Sequence, residues 1–168
     1  MAYSAVVKTK RDGVISICDA AGFAGANTID VSAEPGDFTF AAAQETRLNF
    51  LDRGRLVSAA RYGDDQPLSG SFSTYFRDAS DAAVATLFDV LNQSGLVATA
   101  PWASTLGASA EVFAVDIRLG IEGSDHGDGA DHTITITDCS LDYSFAEGEP
   151  NTTSVNFQSH SDIRPALA

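Results

Sequence analysis

The sequence has few basic residues. Its 168 residues contain 10 Lys and Arg against 23 Asp and Glu, which gives a formal net charge of −13 at pH 7. Because DNA and anionic lipid are bound mainly through positive charge, we do not expect this protein to grip either with its own surface. Hydrophobic residues make up 44% of the chain, enough for one folded domain, which excludes disorder throughout.

Cysteine and long apolar runs are also scarce. Cys18 and Cys139 lie far apart without CxxC or Cys-His spacing, which excludes a disulfide-rich scaffold and a zinc site and predicts two free thiols in strands. The uncharged segment 90–110 contains many polar residues and Pro101, so it is not a membrane span. No apolar stretch follows the bases at 8–11, so we expect no export signal and a soluble protein made in the cytoplasm.

A catalytic arrangement is missing as well. The three histidines, His126, His132 and His160, lie in polar stretches, and no GxSxG, HExxH or P-loop spacing is present. Nucleophilic catalysis needs a base beside the nucleophile, and no segment supplies this pair. We therefore expect no enzymatic activity and no cofactor.

One segment offers oxygen ligands for a cation. Asp125, Asp128 and Asp131 lie among glycines, an arrangement that calcium accepts. The spacing departs from that of an EF-hand loop, and the closing Glu is missing. A solvated loop between two strands is the preferred interpretation, and a bound calcium ion is the alternative.

Alternation of apolar residues predicts a mainly antiparallel β protein. Every second residue is apolar in 113–121 and in 132–147, where a change of phase at Asp138 predicts a β-bulge. The alternation resumes at 152–159 after a turn, which predicts a hairpin with 132–147. Shorter strands are predicted at 14–18, 27–31, 38–42, 46–51, 55–61 and 68–76. The expected fold is an antiparallel β-sandwich or barrel.

One flanking helix is predicted over about 80–93. Its apolar positions follow the spacing of one helix face, namely Val84, Leu87, Phe88 and Leu91. Asp78 or Ser80 is suited to cap its first turn, and Gly95 is suited to end it. We expect this helix to pack on the sheet through its apolar face.

Charge is distributed unevenly along the chain. Residues 1–61 hold seven bases and seven acids, whereas residues 62–168 hold three bases and sixteen acids. An arginine-bearing part and an acidic part can complement each other head to tail between two copies, and ordinary surface solvation is the alternative. Four arginines of the first block lie close together, at Arg47, Arg53, Arg55 and Arg61. Acids lie between and after them, so an acidic protein surface is a better partner than phosphate.

Residues 34–95 show an order of motifs that resembles a known family. The order is Glu34–Phe40, Leu51–Leu56, Arg61–Pro67, a strand Gly70–Asp78, and a helix Ala83–Leu91 that ends in Ser94-Gly95. This order resembles the major tail tube protein of long-tailed bacteriophages. Outside these residues the agreement is in strand content and length.

The resemblance implies a structural virion protein with one tail-tube-like domain over 1–168, an N-terminal arm 1–12 and a C-terminal arm 160–168. Such proteins self-assemble into stacked hexameric rings that form the tail tube, through which genomic DNA passes without specific binding. A long protruding hairpin over about 42–67 would bridge subunits or rings, which makes its four arginines candidate inter-subunit contacts. The implied partners are further copies, the tape-measure protein and the tail-terminator or baseplate proteins, with no membrane. The implied location is the virion tail, assembled in the host cytoplasm.

The acidity of the chain suggests a mechanism under this resemblance. A wall that bound phosphate would hold DNA, whereas a wall of carboxylates would repel it. The candidates to face the lumen are polar positions on the long strands, namely Asp116, Asp138 and Asp142. With these residues on its inner surface, the tube would be an acidic-walled conduit for DNA ejection.

Two other functions are compatible with the same features. A capsid decoration or receptor-binding β-sandwich of a virion would share the fold and acidity, but would form trimers or monomers. A small-ligand-binding β-barrel would need an apolar cavity, for which the chain has one Trp and one Met.

Overall fold

The computed structural model describes most of the chain and shows ten strands and two short helices. The described residues are 13–31, 38–42, 47–50, 59–62, 66–79, 81, 83–99, 102–124, 127, 129–161 and 164–168, with the backbone alone for 47–50, 59–62 and 99. The strands are β1 Gly13–Cys18, β2 Thr28–Val31, β3 Thr39–Ala41, β4 Arg47–Phe50, β5 Ala59–Tyr62, β6 Ser69–Tyr75, β7 Val115–Ile121, β8 His132–Ala146, β9 Thr152–Ser159 and β10 Ala166–Leu167. The helices are α1 Leu87–Asn92 and α2 Gly95–Thr99.

Eight of these strands form one antiparallel sheet. Its order is β2-β1-β7-β8-β9-β6-β3, and β10 pairs with β8 beside this path. The prediction of a mainly antiparallel β fold is confirmed, and the described strands form an open sheet that does not close into a barrel. The predicted hairpin of 132–147 with 152–159 is confirmed as the pair β8 and β9. Among the described residues, neither helix has the length to cross a membrane.

Strand β8 is the longest strand, and it contains the predicted bulge. It pairs with β7 through its first half and with β9 through its second half. Val115 pairs with Cys139 but Ile117 pairs with Ile136, so β8 carries one extra residue between these two pairs. Asp138, at this place, has a φ of 53°, a left-handed conformation that Asp adopts more readily than most residues. The bulge is therefore confirmed, and it shifts the core-facing residues of β8 from even to odd numbers.

The hydrophobic core lies on one face of the sheet, under the two helices. Each helix contributes one buried apolar side chain to the core, Val90 from α1 and Val97 from α2. The fully buried apolar side chains of the sheet and its flanking segments include Phe72, Ile17, Leu68, Ile117, Ile136, Val115 and Val155. Phe38 stacks on Phe72 and on Phe157, with ring centroids 6.4 and 5.6 Å apart. Burial of these side chains is the main source of stability for the open sheet.

The helix prediction was wrong in extent. In place of one helix over about 80–93, α1 has six residues and α2 has five. Thr86 caps α1, because its hydroxyl accepts from the Asp89 amide at 3.2 Å while the Asp89 carboxylate accepts from the Thr86 amide at 3.1 Å. Gln93 takes a left-handed conformation with φ 49° and ends α1. Val84 consequently lies outside the helix and is 64% exposed.

The residues predicted to cap the helix do not cap α1 in the described structure. Asp78 lies outside both helices, and Gly95 begins α2 where we expected it to end the single helix. Ser80 lies outside the described residues. The apolar spacing indicated Leu87 and Leu91, which pack against the core, but it missed the buried Val90. The reciprocal cap at Thr86 determined where the helix begins.

The predicted hairpin over about 42–67 is present as a separate two-stranded sheet. β4 pairs with β5 from Arg47 opposite Tyr62 to Phe50 opposite Ala59. Residues 51–58, which connect the two strands, lie outside the described residues.

The predicted C-terminal arm folds back on the sheet. β10 pairs with the first half of β8, and Thr133 and Ala168 exchange two backbone hydrogen bonds of 2.7 and 3.0 Å. Leu167 is nevertheless 74% exposed. The predicted N-terminal arm, 1–12, lies outside the described residues.

Candidate assembly surfaces

The face of the sheet opposite the core is built from short polar side chains. Every second residue of β6, β8 and β9 contributes to it, because the intervening residues of β9 are all buried in the core. Nine of these residues, here named the polar face, are Ser69, Ser71, Ser73, Ser140, Asp142, Ser144, Ser154, Asn156 and Gln158, and the row Tyr75, Thr152 and Ala146 follows them on the same side of the sheet. Their register forms rows across the strands, such as Ser71, Asn156 and Asp142, and the hydroxyls of Ser73 and Ser154 lie 3.3 Å apart. Eight of the nine are uncharged.

The polar character continues across β8 towards β7. Thr135 of β8 lies opposite Arg118 of β7, whose guanidinium carbon lies 4.2 Å from the centroid of the Phe23 ring. The loop between β1 and β2 thus covers the one base of β7 with an aromatic ring. Further along, the Ser16 hydroxyl donates to the Asp30 carboxylate at 2.6 Å.

The structure brings together two of the three predicted lumen residues. The Asp138 amide at the bulge donates to the Asp116 carboxylate at 3.0 Å, so this carboxylate helps to hold the bulge. Both residues are partly buried, whereas Asp142 is exposed on the polar face opposite Asn156. Asp142 is therefore the exposed carboxylate of the three, and its position facing a lumen stays a prediction.

Four aromatic side chains meet at one end of the sheet. Phe145 contacts Phe76, Phe76 contacts Phe88, and Phe88 contacts Tyr143, with ring centroids 5.2 to 5.5 Å apart in edge-to-face geometry. The Tyr143 hydroxyl donates to the Asn92 side chain at 2.8 Å. These four residues, here named the aromatic cluster, come from three separate segments of the chain. Sequence reasoning missed the cluster because no single segment contains more than two of its members.

The four arginines of the predicted contact lie in or near the hairpin. Arg47 begins β4 and Arg61 belongs to β5, whereas Arg53 and Arg55 lie outside the described residues. Their role in contacts between subunits stays a prediction.

The candidate cation loop is described in part. Asp131 accepts hydrogen bonds from the backbone amides of Ser124 and Gly123 at 3.0 and 2.9 Å and from the Ser124 hydroxyl at 2.8 Å. These bonds lower the pKa of Asp131 to about 2, and the two amide bonds have the largest effect. Asp125 and Asp128 lie outside the described residues, so the calcium alternative stays a prediction. Within the part of the chain that the structure describes, three or more His, Cys, Asp or Glu do not group as metal ligands.

Asp19 is a buried carboxylate that sequence reasoning missed. It is 2% exposed and accepts from the Ala21 amide at 2.9 Å, the Asn27 side chain at 2.8 Å and the Ala103 amide at 3.1 Å. It therefore ties the β1–β2 loop, which carries Phe23, to the segment after Trp102. The only sequence signal is an Asp at a turn, which is too common to single it out.

Both cysteines are free and buried, which confirms the prediction of two free thiols in strands. Burial, together with the carboxylates of Asp116 and Asp19, raises the pKa of Cys18 to about 12. Cys18 therefore stays a thiol at neutral pH, and it is poorly reactive.

The comparisons with known proteins concern the fold. No protein-family model and no curated protein sequence matches this chain. Its structure is similar to a chain in a cryo-EM structure of the extracellular contractile injection system PVC, at the sheath/tube terminator in the extended state. The TM-score is 0.56 at 14% identity, and the match covers 99% of this chain and 98% of that chain. It is also similar to a chain in the six-fold symmetrised cryo-EM structure of the anti-feeding prophage baseplate. Here the TM-score is 0.55 at 6% identity, with 100% and 97% of the two chains covered.

At these identities the likeness shows a shared fold that extends over the whole chain. Neither structure is described as a major tail tube protein of a long-tailed bacteriophage.

Proposed function

We propose that this chain is a structural, non-catalytic subunit of a phage-tail-like tube, in which copies join into rings and the rings stack. The observation that carries the proposal is the fold likeness to chains of two injection-system assemblies, which extends over 99% and 100% of this chain. Hexameric rings, assembly with tape-measure and tail-terminator or baseplate proteins, and passage of DNA are the finer parts of the proposal.

The open sheet supplies a means of assembly. Among the described strands, β2 and β3 stand at the two ends of the sheet order, so each has one side without a partner strand in this chain. Unpaired strand edges are prone to pair with another chain, and edge-to-edge pairing around a ring would satisfy them. Strand β2 offers four residues and β3 offers three.

The polar face is suited to line the channel of such a ring. Its hydroxyls and amides bind water, and its nine residues include no base that would hold phosphate. Arg118, the base beyond it on β7, is covered by Phe23. We propose that the wall acts mainly through hydration, with Asp142 adding one repulsive charge per copy.

The alternative of a small-ligand barrel loses its central requirement, because the described strands do not close around a cavity. The alternative of a decoration or receptor-binding protein makes a different prediction about assembly. It predicts monomers or trimers, whereas a tube subunit predicts rings or stacked tubes under negative-stain electron microscopy.

Thiol labelling of assembled particles tests which surface faces the channel. In the Asn156→Cys variant, a small maleimide should react, and a polymer-linked maleimide too large for the channel should not. In the matched Val84→Cys variant, both reagents should react, because Val84 is exposed away from the polar face. The native thiols give little background, since Cys18 and Cys139 are buried.

Two results would count against the proposal. A chain that stays monomeric or trimeric under all conditions tested excludes a tube. Equal reaction of both reagents at position 156 in intact rings places the polar face outside the channel.

A further inference from the structure

The aromatic cluster is an apolar surface that nothing in the described part of the chain fully covers. Phe145 is 48% exposed and Tyr143 is 39% exposed, although both rings contact other rings of the cluster. Neighbouring aromatic rings left open to water are unfavourable in a monomer, and such patches mark interaction sites. The contacts among the rings already fix their positions, so a partner would meet a preformed surface.

Acidic residues lie in the two segments that continue from this cluster, after Phe76 and after Phe145. The segment after β6 meets the turn between β8 and β9, because the Phe76 amide donates to the Asn151 carbonyl at 3.0 Å. Within the turn, the Gly148 amide donates to the Asn151 side chain at 2.9 Å. The exposed acids of these segments, here named the acidic rim, are Asp78, Asp81, Glu147 and Glu149. Arg77 is the one base of the same two segments, so the rim keeps a net negative charge.

We propose that the aromatic cluster and its acidic rim receive the arginine-bearing hairpin, residues 47–61, of a second copy of this chain. A guanidinium is the side chain that both stacks on aromatic rings and pairs with carboxylates. The chain already contains one such stack, between Arg118 and Phe23. Seven of the ten bases lie in residues 1–61, and four of them belong to this hairpin.

The complementary surfaces lie on different parts of one chain, so the contact is heterologous. A head-to-tail contact of this kind does not use up both surfaces, and successive copies can add. The acidic rim argues against nucleic acid as the occupant, because it would repel phosphate. The inference rests on the self-assembly of the proposed function and names one of its contacts.

Photo-cross-linking tests the occupant directly. The photoreactive residue p-benzoylphenylalanine replaces Phe145 in a preparation that mixes copies labelled with light and heavy nitrogen. We expect cross-links from position 145 of one copy to residues 47–61 of another copy. Such cross-links join one light peptide to one heavy peptide. The matched control carries the same residue in place of Val112, which is also exposed, at 44%, but lies away from the aromatic cluster. It should not reach residues 47–61.

Charge-reversal variants provide an independent test of the contact, and the folding of each variant is easy to check. Glu147→Lys and Arg53→Glu should each weaken self-association about fivefold at low salt, and the two together in one chain should restore part of the loss. Glu111→Lys makes the same charge change at an exposed position outside the rim and should leave the association constant unchanged. Sedimentation velocity measures the constants, and far-UV circular dichroism confirms folding.

The outcomes separate this inference from the proposed function. Cross-links within one copy, cross-links to peptides outside 47–61, or no cross-links overturn the inference. A loss of association in Glu147→Lys without one in Arg53→Glu also overturns it, since the occupant would then be another part of this chain. Rings with cross-links elsewhere leave the proposed function standing, whereas cross-links to 47–61 in particles that are not rings support the contact alone.

Discussion

Replacing Asp19 with Ala tests whether one buried carboxylate holds the β1–β2 loop in place. The carboxylate accepts three hydrogen bonds, from the amides of Ala21 and Ala103 and from the Asn27 side chain. Ala103 lies 84 residues further along the chain, so the bond joins distant segments. In Asp19→Ala the two amides lose an acceptor that belongs to a residue only 2% exposed.

The size of the effect follows from these bonds. A hydrogen bond to a charged group contributes about 1.5–3 kcal/mol, and water restores part of the loss at the three donors, none of which belongs to a buried residue, so we expect destabilisation of about 3–5 kcal/mol. Asp19→Asn keeps one carbonyl oxygen but turns an NH₂ group towards a donor, so we expect a loss of about 2 kcal/mol. These are large fractions of the stability of a domain, which is about 5–15 kcal/mol.

Urea unfolding followed by the fluorescence of Trp102 measures the effect. Trp102 is the only tryptophan, is 7% exposed, and precedes Ala103. With a urea dependence of about 2 kcal/mol per M, the midpoint of Asp19→Ala should fall by about 2 M. Asp30→Ala is the control, because Asp30 is an exposed carboxylate that accepts from Ser16 alone among the bonds described, and it should cost about 1 kcal/mol. A loss below about 1 kcal/mol in Asp19→Ala would refute the reasoning.

Two further predictions concern other single sites. Gly70→Ala should destabilise by about 2–3 kcal/mol in urea unfolding, because its Cβ would collide with the Phe157 ring and the Thr39 carbonyl, whereas Gly129→Ala, with open space around it, should change stability by less than about 0.5 kcal/mol. Equal changes in stability in the two variants would contradict the close packing of Gly70 against Phe157 and Thr39. The pKa of Asp131 is lowered from 3.8 to about 2, so its stabilising bonds are present above pH 4 and are lost as the pH falls towards 2. The melting-temperature difference between wild type and Asp131→Asn should therefore shrink over this range, and a constant difference would exclude the linkage.

Most strands could be predicted from the sequence because their pattern is local. Alternation identified β7, β8 and β9 within two residues at each end, and the phase change at Asp138 predicted the bulge that the register confirms. Strand β10 escaped prediction because two residues are too short for alternation to appear. The length of the helix was overestimated because an i, i+3, i+4, i+7 pattern indicates an apolar face and not the first residue of a helix. The first residue depended on the cap at Thr86.

The candidate surfaces were less predictable because they depend on residues distant in sequence. The lumen-facing position of Asp116 stays a prediction, and the sequence could not show that the carboxylate of Asp116 accepts from the Asp138 amide, 22 residues away. The aromatic cluster needs β6, α1 and β8 to converge, and no single segment shows it. The arginine-bearing hairpin was predicted from the resemblance, and the two short strands expected at 46–51 and 55–61 agree with it because they are neighbours in the sequence.

The bulge at Asp138 also has a mechanical consequence. Before it, β8 pairs with β7 and β10; after it, β8 pairs with β9, so one strand joins the two halves of the sheet. A bulge bends its strand and increases the local twist. The angle between the polar face and the β1–β7 half of the sheet therefore depends on a few residues around 138, and in the tube that we propose these residues would set the curvature of the wall.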